Sequence, residues 1–166
     1  QRAGDRAAEV VKLYRAEDAK APPFLLAARI DSDLWFRKSA FAMAELKAKQ
    51  VGAPVWTYLW TWPSPAYGGR FGAVHGIDVG PSLYNVRGGL NGPSAGSVRM
   101  ASHIASSWAA FAATGNPAND KITSWAPYTP PQRATMIFGE ETRVENDPRA
   151  EFRALWQEIK PAATRG

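Results

Sequence analysis

The chain of 166 residues contains no cysteine and only 2 histidines, and each shortage excludes a class of protein. Without cysteine there are no disulfide-bonded scaffolds, no thiolate zinc sites and no cysteine nucleophiles. Two histidines disfavour a histidine-rich metal site. Long apolar runs are also missing, since the longest span only a few residues whereas a transmembrane helix needs roughly 20. We therefore expect no membrane span.

The composition that remains is that of a folded domain. Hydrophobic residues make up 45% of the chain, charged residues 21% and aromatic residues 11%, which excludes disordered, collagen-like and coiled-coil sequences. The length is close to that of one globular domain. The net charge is +5, but the basic residues are scattered and usually have an acidic neighbour, so they form no binding stripe. We expect no nucleic-acid partner.

The first residue is Gln1, and the pattern of a signal peptide does not follow it. We therefore expect either a processed N-terminus or a piece of a longer protein. The cellular compartment stays open, since this stretch contains no targeting segment.

Hydrophobic periodicity predicts several helices, one strand and one hairpin. The helices fall at 5–16, at 24–50 in two pieces with a kink at 31–33, at 97–114 and at 148–157. We expect Asp5 and Ser97 to cap the helices that they precede or begin, and Pro148 to begin the last one. The β-branched and aromatic segment 54–62 predicts a buried strand, and 134–138 with 142–145 predicts a hairpin.

This inventory is unbalanced for an independent domain. One interior strand cannot make a sheet, while the helices carry apolar faces that need a sheet to cover them. The clearest such face is the stripe of helix 97–114, formed by Met100, Ile104, Trp108 and Phe111. We therefore expect the tail end of a larger α/β protein, whose other part pairs both edges of strand 54–61.

His75 is the first candidate for chemistry, because it lies in a glycine-flanked loop directly after the predicted strand. A catalytic histidine needs a loop that projects its ring beyond a sheet edge, with small neighbours that allow close approach. Taken alone, a loop histidine is more often a plain surface or packing residue. His103 lies in a predicted helix, and we interpret it as a packing residue.

The segment GPSAG at 92–96 matches the nucleophile elbow G-x-S-x-G, which needs a strand before the serine and a helix after it. No strand pattern precedes Ser94. The α/β-hydrolases also place the serine before the acid and the histidine, whereas Ser94 follows His75. We interpret this match as a coincidence in a loop.

Two further features near His75 have more than one interpretation. Asp78 can orient the His75 imidazole or cap the short element that follows, and the residues leave both open. The aromatic residues of segment 54–62 share one face by alternation, and we expect them to pack in a core and not against a ligand. They are Trp56, Tyr58, Trp60 and Trp62.

Taken in order, these segments resemble the C-terminal portion of the type-B carboxylesterases, the α/β-hydrolases that include the cholinesterases and the bacterial p-nitrobenzyl esterases. The matching segments are DLWF at 33–36, PVWTYLW at 54–60, GAVHGID at 72–78, SWAAF at 107–111, GNP at 115–117, WAPY at 125–128, MIF at 136–138 and LW at 155–156. Their shared order and spacing over 24–157 make the resemblance specific.

The resemblance implies an α/β-hydrolase fold with a central, mostly parallel sheet flanked by helices. Residues 1–166 would then be the C-terminal part of a single catalytic domain, with no separate second domain. His75 would be the general base and later the general acid of the catalytic triad. Asp78 would be a supporting acidic residue, and Phe36 would help to wall the acyl pocket. Catalysis in this family needs no metal or cofactor.

The family's serine elbow, oxyanion-hole glycines and triad acid lie upstream of the matching region and are absent from this chain. The expected partners are therefore the N-terminal part of the same esterase and a small-molecule ester. Animal cholinesterases carry a disulfide between the early helix and the last one. Lys38 and Arg153 occupy those places here, so the resemblance is nearer to the bacterial members.

Two functional hypotheses follow. The first is a carboxylic-ester hydrolase in which this chain supplies His75 and part of the substrate pocket. The second is a non-enzymatic adhesion or scaffold domain on the same fold, because a fold does not guarantee a function. Retention of His75 between small residues favours the first, and a serine elbow in the upstream sequence would discriminate them.

Overall fold

The computed structural model describes residues 3–87 and 89–159, which form six α-helices and three β-strands. The helices are α1 (Ala7–Glu17), α2 (Pro23–Asp31), α3 (Lys38–Ala48), α4 (Val79–Ser82), α5 (Ala95–Thr114) and α6 (Ala150–Glu158). The strands are β1 (Thr57–Trp60), β2 (Ala134–Phe138) and β3 (Arg143–Asn146). A π-helical segment, Ser32–Arg37, continues α2 into α3 where the sequence predicted a kink.

The chain divides into two compact units. The first comprises the residues up to Met43 together with those from Arg149 onward, and the second is Ala44–Pro148. Within the ranges 3–87 and 89–159, no helix combines the length and apolar character that crossing a membrane would take.

The first unit is held together by apolar side chains of α1, α2 and α6. Helical spacing places Val10 and Tyr14 on one face of α1, and the Tyr14 ring meets Phe152 edge to face with centroids 4.8 Å apart. The rest of this buried cluster is Leu26, Leu155, Trp156 and Ile159. Each such side chain stabilises the fold by about 1.5–3 kcal/mol on burial.

Two predicted helix starts in this unit are wrong. Neither the short 3₁₀ turn at Gly4–Arg6 nor α1 has a side-chain cap, so Asp5 does not cap a helix. α6 begins at Ala150 after Arg149 in the left-handed conformation, so Pro148 is not its first residue. Arg149, directly before α6, pairs with Asp33 and Glu17, and a local capping pattern does not contain such tertiary contacts.

Asp33 is a buried carboxylate at the centre of those contacts, with 3% of its surface exposed. Its Oδ2 accepts hydrogen bonds from the Tyr14 hydroxyl at 2.5 Å and from Arg149 Nη2 at 2.9 Å, and its Oδ1 pairs with Arg37. Trp156 Nε1 donates to the Tyr14 oxygen at 2.8 Å. Burial raises the pKa of Asp33, while the charge of Arg37 and the bond from Tyr14 act in the opposite direction.

Lys38 joins the start of α3 to the end of α6. Its Nζ donates to the carbonyl oxygen of Trp156 at 2.8 Å and lies 3.5 Å from that of Ile159. The last carbonyls of a helix have no partner inside the helix, and a cation there also complements the helix dipole. Lys38 is therefore a non-covalent link between the two helices.

The second unit contains a three-stranded mixed sheet in the order β1–β2–β3. β1 pairs parallel with β2, with Thr57 opposite Thr135 and Trp60 opposite Phe138. β2 pairs antiparallel with β3, which confirms the predicted hairpin. The expectation that the first strand finds no partner within this chain is wrong, because β2 occupies one of its edges. In the described part of the chain β1 is an edge strand and only partly buried.

The aromatic face of β1 packs against β2, as the alternation predicted. The rings of Tyr58 and Trp60 lie 5.7 Å and 6.3 Å from that of Phe138. Trp125 completes the cluster on the Phe138 ring at 6.0 Å. This face is therefore a core and not a stacking platform for a ligand.

Helix α5 contributes to that core with only half of its predicted stripe. Met100 and Ile104 are fully buried, whereas Trp108 is 52% exposed and Phe111 48% exposed. The cap is also one turn earlier than predicted, because the Ser94 side chain accepts a hydrogen bond from the Ser97 N–H. The exposed half of the stripe is a surface that the described chain leaves uncovered.

We predict that Asp33→Ala lowers the free energy of unfolding by about 3 kcal/mol. Removing one partner of a buried ion pair leaves an uncompensated charge, which typically costs about 3–5 kcal/mol. The lower value applies here because Arg149 also pairs with Glu17. The measurement is urea denaturation of the whole protein that carries this chain, with the variant beside the wild type.

The matched control is Glu9→Ala, whose carboxylate pairs with Arg6 at the surface. Exposed ion pairs contribute little, so this variant should unfold at the same urea concentration as the wild type. Equal midpoints for all three proteins would contradict a stabilising role of the Asp33 network.

Candidate functional site

His75 lies in the loop that leaves the end of β1 and leads to α4. Gly72 and Gly76 have φ angles of +61° and +77°, which residues with side chains adopt only under strain. The loop is closed by hydrogen bonds from the Val74 N–H to Gly72 O at 3.1 Å and from the Ile77 N–H to Val74 O at 3.2 Å. These turns place His75 on an exposed tip between two glycines.

Asp78 connects this loop to β1 through a tyrosine. The Tyr58 hydroxyl donates to Asp78 Oδ2 at 2.8 Å. Burial and the bond to Asp78 raise the pKa of Tyr58, so its hydroxyl remains a proton donor throughout the neutral range. The side chain of Asp78 does not cap α4, which removes one of its two predicted roles. Its contact with Tyr58 is a third role, which the sequence analysis missed.

Ser64 is a buried junction between the loops of this unit. Its N–H donates to Gly72 O at 2.9 Å, its Oγ donates to Leu90 O at 2.6 Å, and the Ala66 N–H donates to that Oγ at 3.2 Å. Through its N–H and its hydroxyl, Ser64 therefore joins the His75 loop to the segment before α5. Sequence reasoning missed it, although a serine between two prolines at 63–65 marks a constrained turn.

Asn91 fixes the other side of the same loop. Its side-chain Nδ2 donates to Ile77 O at 2.8 Å, and its backbone carbonyl oxygen accepts a hydrogen bond from Ser97 Oγ at 2.5 Å. The amide is buried, and its Oδ1 has no hydrogen-bond partner among the described residues. Together with Ser64, it holds the His75 loop against the start of α5.

A cavity of about 500 Å³ opens beside the His75 loop. Its lining comprises His75, Gly76, Ile77, Gly80, Asn85, Arg87, Gly89, Leu90 and Asn91. Volumes of roughly 300–1,000 Å³ are typical of small-molecule sites. An imidazole on such a wall can take a proton from a bound molecule or return one to it.

The other candidate residues lie elsewhere. Ser94 is the N-cap of α5, follows a loop and not a strand, and does not line the cavity. Its position confirms that GPSAG at 92–96 is not a nucleophile elbow. His103 is half-buried on α5 with Nδ1 2.8 Å from Thr142 Oγ1, and burial lowers its pKa. Phe36 belongs to the first unit, where it is an exposed residue of the π-helical segment.

The described residues include no group of three histidine, cysteine or acidic side chains placed to hold a metal ion. The cavity lining instead combines small residues, one imidazole, one guanidinium and two amides. The structure thus brings the His75 imidazole and the Arg87 side chain to the lining of one cavity.

Comparison with known proteins identifies relatives over nearly the whole chain. Residues 8–156 match the model of the carboxylesterase family. A para-nitrobenzyl esterase of Bacillus subtilis (strain 168) is 34% identical over 125 residues, which cover 74% of this chain and 25% of that protein. A phenmedipham hydrolase of Pseudarthrobacter oxydans is 24% identical over 147 residues, covering 85% of this chain and 29% of that protein.

A solved carboxylesterase of Geobacillus stearothermophilus is similar in structure, with a TM-score of 0.77 and 26% sequence identity. The match covers 93% of this chain and 33% of that one. The likeness confirms the predicted fold class, a portion of an α/β-hydrolase. The chain spans about a quarter to a third of the length of the proteins it matches.

We predict that Tyr58→Phe makes the backbone amides of the His75 loop exchange about 2- to 10-fold faster with solvent deuterium. A typical hydrogen bond contributes about 0.5–1.5 kcal/mol, and each 1.4 kcal/mol is about a tenfold change in the opening equilibrium. The raised pKa means that this contribution is fully present below the ordinary tyrosine value and is lost only at alkaline pH. The ratio of the exchange rate in Tyr58→Phe to that in the wild type should therefore be constant between pH 6 and 8.

The control for this exchange experiment is Tyr84→Phe. Tyr84 is an exposed residue just after α4, and its hydroxyl makes no hydrogen bond within the described ranges. The loop should exchange at the wild-type rate in this variant. Equal acceleration by both substitutions would mean that the Tyr58 contact does not hold the loop.

Proposed function

Because this chain belongs to the carboxylesterase family, we propose that it forms the histidine-bearing part of a carboxylic-ester hydrolase that works through an acyl-enzyme. The observation that carries the proposal is the place of His75. The ring lies on a glycine-flanked loop at the end of a parallel strand and lines a cavity large enough for an ester. Ligands of open α/β sheets bind outside the carboxyl ends of the strands.

In this mechanism His75 accepts the proton of a serine hydroxyl as the serine oxygen bonds to the ester carbonyl carbon. The tetrahedral intermediate collapses, the bond to the alcohol oxygen breaks, and His75 returns the proton to that oxygen. Water then attacks the acyl-enzyme by the same route, with His75 first taking the water proton and then giving it to the serine. At the end of each half-reaction the imidazole is back in the protonation state in which it began.

The supporting residues act through position. Asp78 is held by Tyr58 and in turn secures the turn that carries His75, which supports its role as a positioning residue and not as the triad acid. Phe36 would wall the acyl pocket, and its large exposed ring supports that role. Such rings shape a pocket by excluded volume and apolar contact.

The serine, the triad acid and the oxyanion-hole donors would come from another part of the same polypeptide. Two observations support such a partner: β1 has one unpaired edge in the described part of the chain, and α5 exposes Trp108 and Phe111. The chain would then be the C-terminal part of one catalytic domain. The length of the relatives, three to four times the matched portion, is in keeping with this arrangement.

We predict that His75→Ala lowers kcat for ester hydrolysis by roughly 10⁴- to 10⁶-fold, the scale of triad losses. The assay is hydrolysis of a simple activated ester by the whole protein that carries this chain. The stability of the variant should be unchanged, since the side chain is exposed. Retention of more than about a tenth of wild-type kcat would overturn the assignment.

Two substitutions serve as controls in that assay. His103→Gln tests the second histidine, and Ser94→Ala tests the serine of the elbow-like motif. Both should retain wild-type kcat because neither residue lines the cavity. An inactive Ser94→Ala with an active His75→Ala would reverse the assignment of roles.

We also predict that residues 1–166 expressed alone bind hydrophobic dyes or aggregate, and hydrolyse no ester. Each large apolar side chain left exposed forgoes about 1.5–3 kcal/mol, which is a large share of a typical domain stability of about 5–15 kcal/mol. Sedimentation, a thermal melt and an ester assay provide the measurements. A monodisperse monomer with a cooperative melt would contradict the proposed partner, and ester turnover would mean that the nucleophile lies within this chain.

A further inference from the structure

The charges around the cavity are of one sign. Among the described residues of its lining there is no carboxylate, and the same lining contains Arg87 and His75. Within residues 3–87 and 89–159 the side chain of Arg87 has no ion-pair partner. A cation at a small-molecule cavity without a neighbouring anion is available for a charged group of the ligand.

Arg87 is an exposed residue at the rim of the cavity, near residues that are held in place. The Arg87 N–H donates to Asn85 Oδ1 at 3.3 Å, which turns the chain at this rim. Leu90 O accepts a hydrogen bond from Ser64, and the buried amide of Asn91 donates to Ile77 O. These two contacts anchor residues 90–91 to the His75 loop.

The shape of the cavity leaves room for a second group beyond the reacting ester. Three glycines are part of the lining, namely Gly76, Gly80 and Gly89, and the volume of about 500 Å³ exceeds what a single ester group fills. The net charge of +5 also attracts anions toward the protein as a whole. Both features favour a substrate that carries a negative charge.

We propose that Arg87 is a specificity residue that binds a carboxylate of the substrate, so that the favoured substrates are esters bearing a free carboxylate, such as monoesters of dicarboxylic acids. The guanidinium matches a carboxylate with two parallel hydrogen bonds, which a neutral group cannot form. Hydrolysis then consumes water at the ester and releases an alcohol and a dicarboxylate. This inference rests on the proposed ester hydrolysis at His75 and adds the substrate class.

The test compares each monomethyl ester of succinate, glutarate and adipate with the methyl ester whose distal carboxylate is replaced by a carboxamide. The two members of a pair have nearly the same shape and differ in charge. The whole protein that carries this chain is assayed by pH-stat as the wild type, Arg87→Gln and Arg87→Lys, with Arg70→Gln as an exposed control that does not line the cavity.

For at least one chain length, we expect the wild type to hydrolyse the ester with the free carboxylate (the acid) with a higher kcat/KM than its carboxamide counterpart (the amide). In Arg87→Gln the kcat/KM of that acid should fall about tenfold, mainly through KM, while the amide is hydrolysed at the wild-type rate. Arg87→Lys should retain part of the preference because it keeps the charge, and Arg70→Gln should retain all of it. An acid-to-amide ratio that Arg87→Gln leaves unchanged at every chain length would overturn the inference.

Failure of the proposed function has a different signature. If the wild type hydrolyses none of these esters and no simple activated ester either, ester hydrolysis at His75 is wrong, and equilibrium dialysis with labelled adipate decides the anion site by itself. Tighter binding of adipate to the wild type than to Arg87→Gln would uphold the anion site. Equal binding to both proteins would reject it.

Discussion

The parallel pairing of β1 with β2 is the constraint on which the candidate site depends. The two strands are joined in register although some 78 positions separate Thr57 from Thr135. This pairing fixes the point at which β1 ends, and the loop that leaves that end carries His75. The candidate site therefore lies where parallel sheets generally bind ligands, beyond the carboxyl ends of their strands.

A small set of polar contacts then converts a flexible, glycine-rich stretch into a defined loop. Ser64 joins Gly72 to Leu90, Asn91 holds Ile77, and Tyr58 holds Asp78. None of these side chains carries out a chemical step in the proposed mechanism. They remove freedom from the backbone on both sides of His75, which lowers the entropic cost of presenting the ring to a substrate.

Polar contacts also hold the elements of the first unit together. Lys38, at the start of α3, donates to the last carbonyls of α6. The buried Asp33 pairs its charge with two arginines and accepts a hydrogen bond from Tyr14. A helix-end cation and a buried ion network thus link segments that are far apart in the sequence.

The sequence by itself determined the features that depend on neighbours along the chain. Periodicity located the helices and the hairpin, and the order of short motifs identified the family and singled out His75. The glycines that flank that residue already indicated a loop with small neighbours that allow close approach. These signals are local because backbone preferences and side-chain spacing act over a few residues.

Only the tertiary structure decided what depends on distant partners. The pairing of β1 with β2, the burial of half the α5 stripe, the cap at Ser94 and the contact of Tyr58 with Asp78 all correct or extend the local interpretation. Asp78 had two equally good local roles, and its hydrogen bond goes to a residue 20 positions away. Side-chain partners of this kind are chosen by packing and desolvation in the folded chain, and a one-dimensional pattern does not contain those distances.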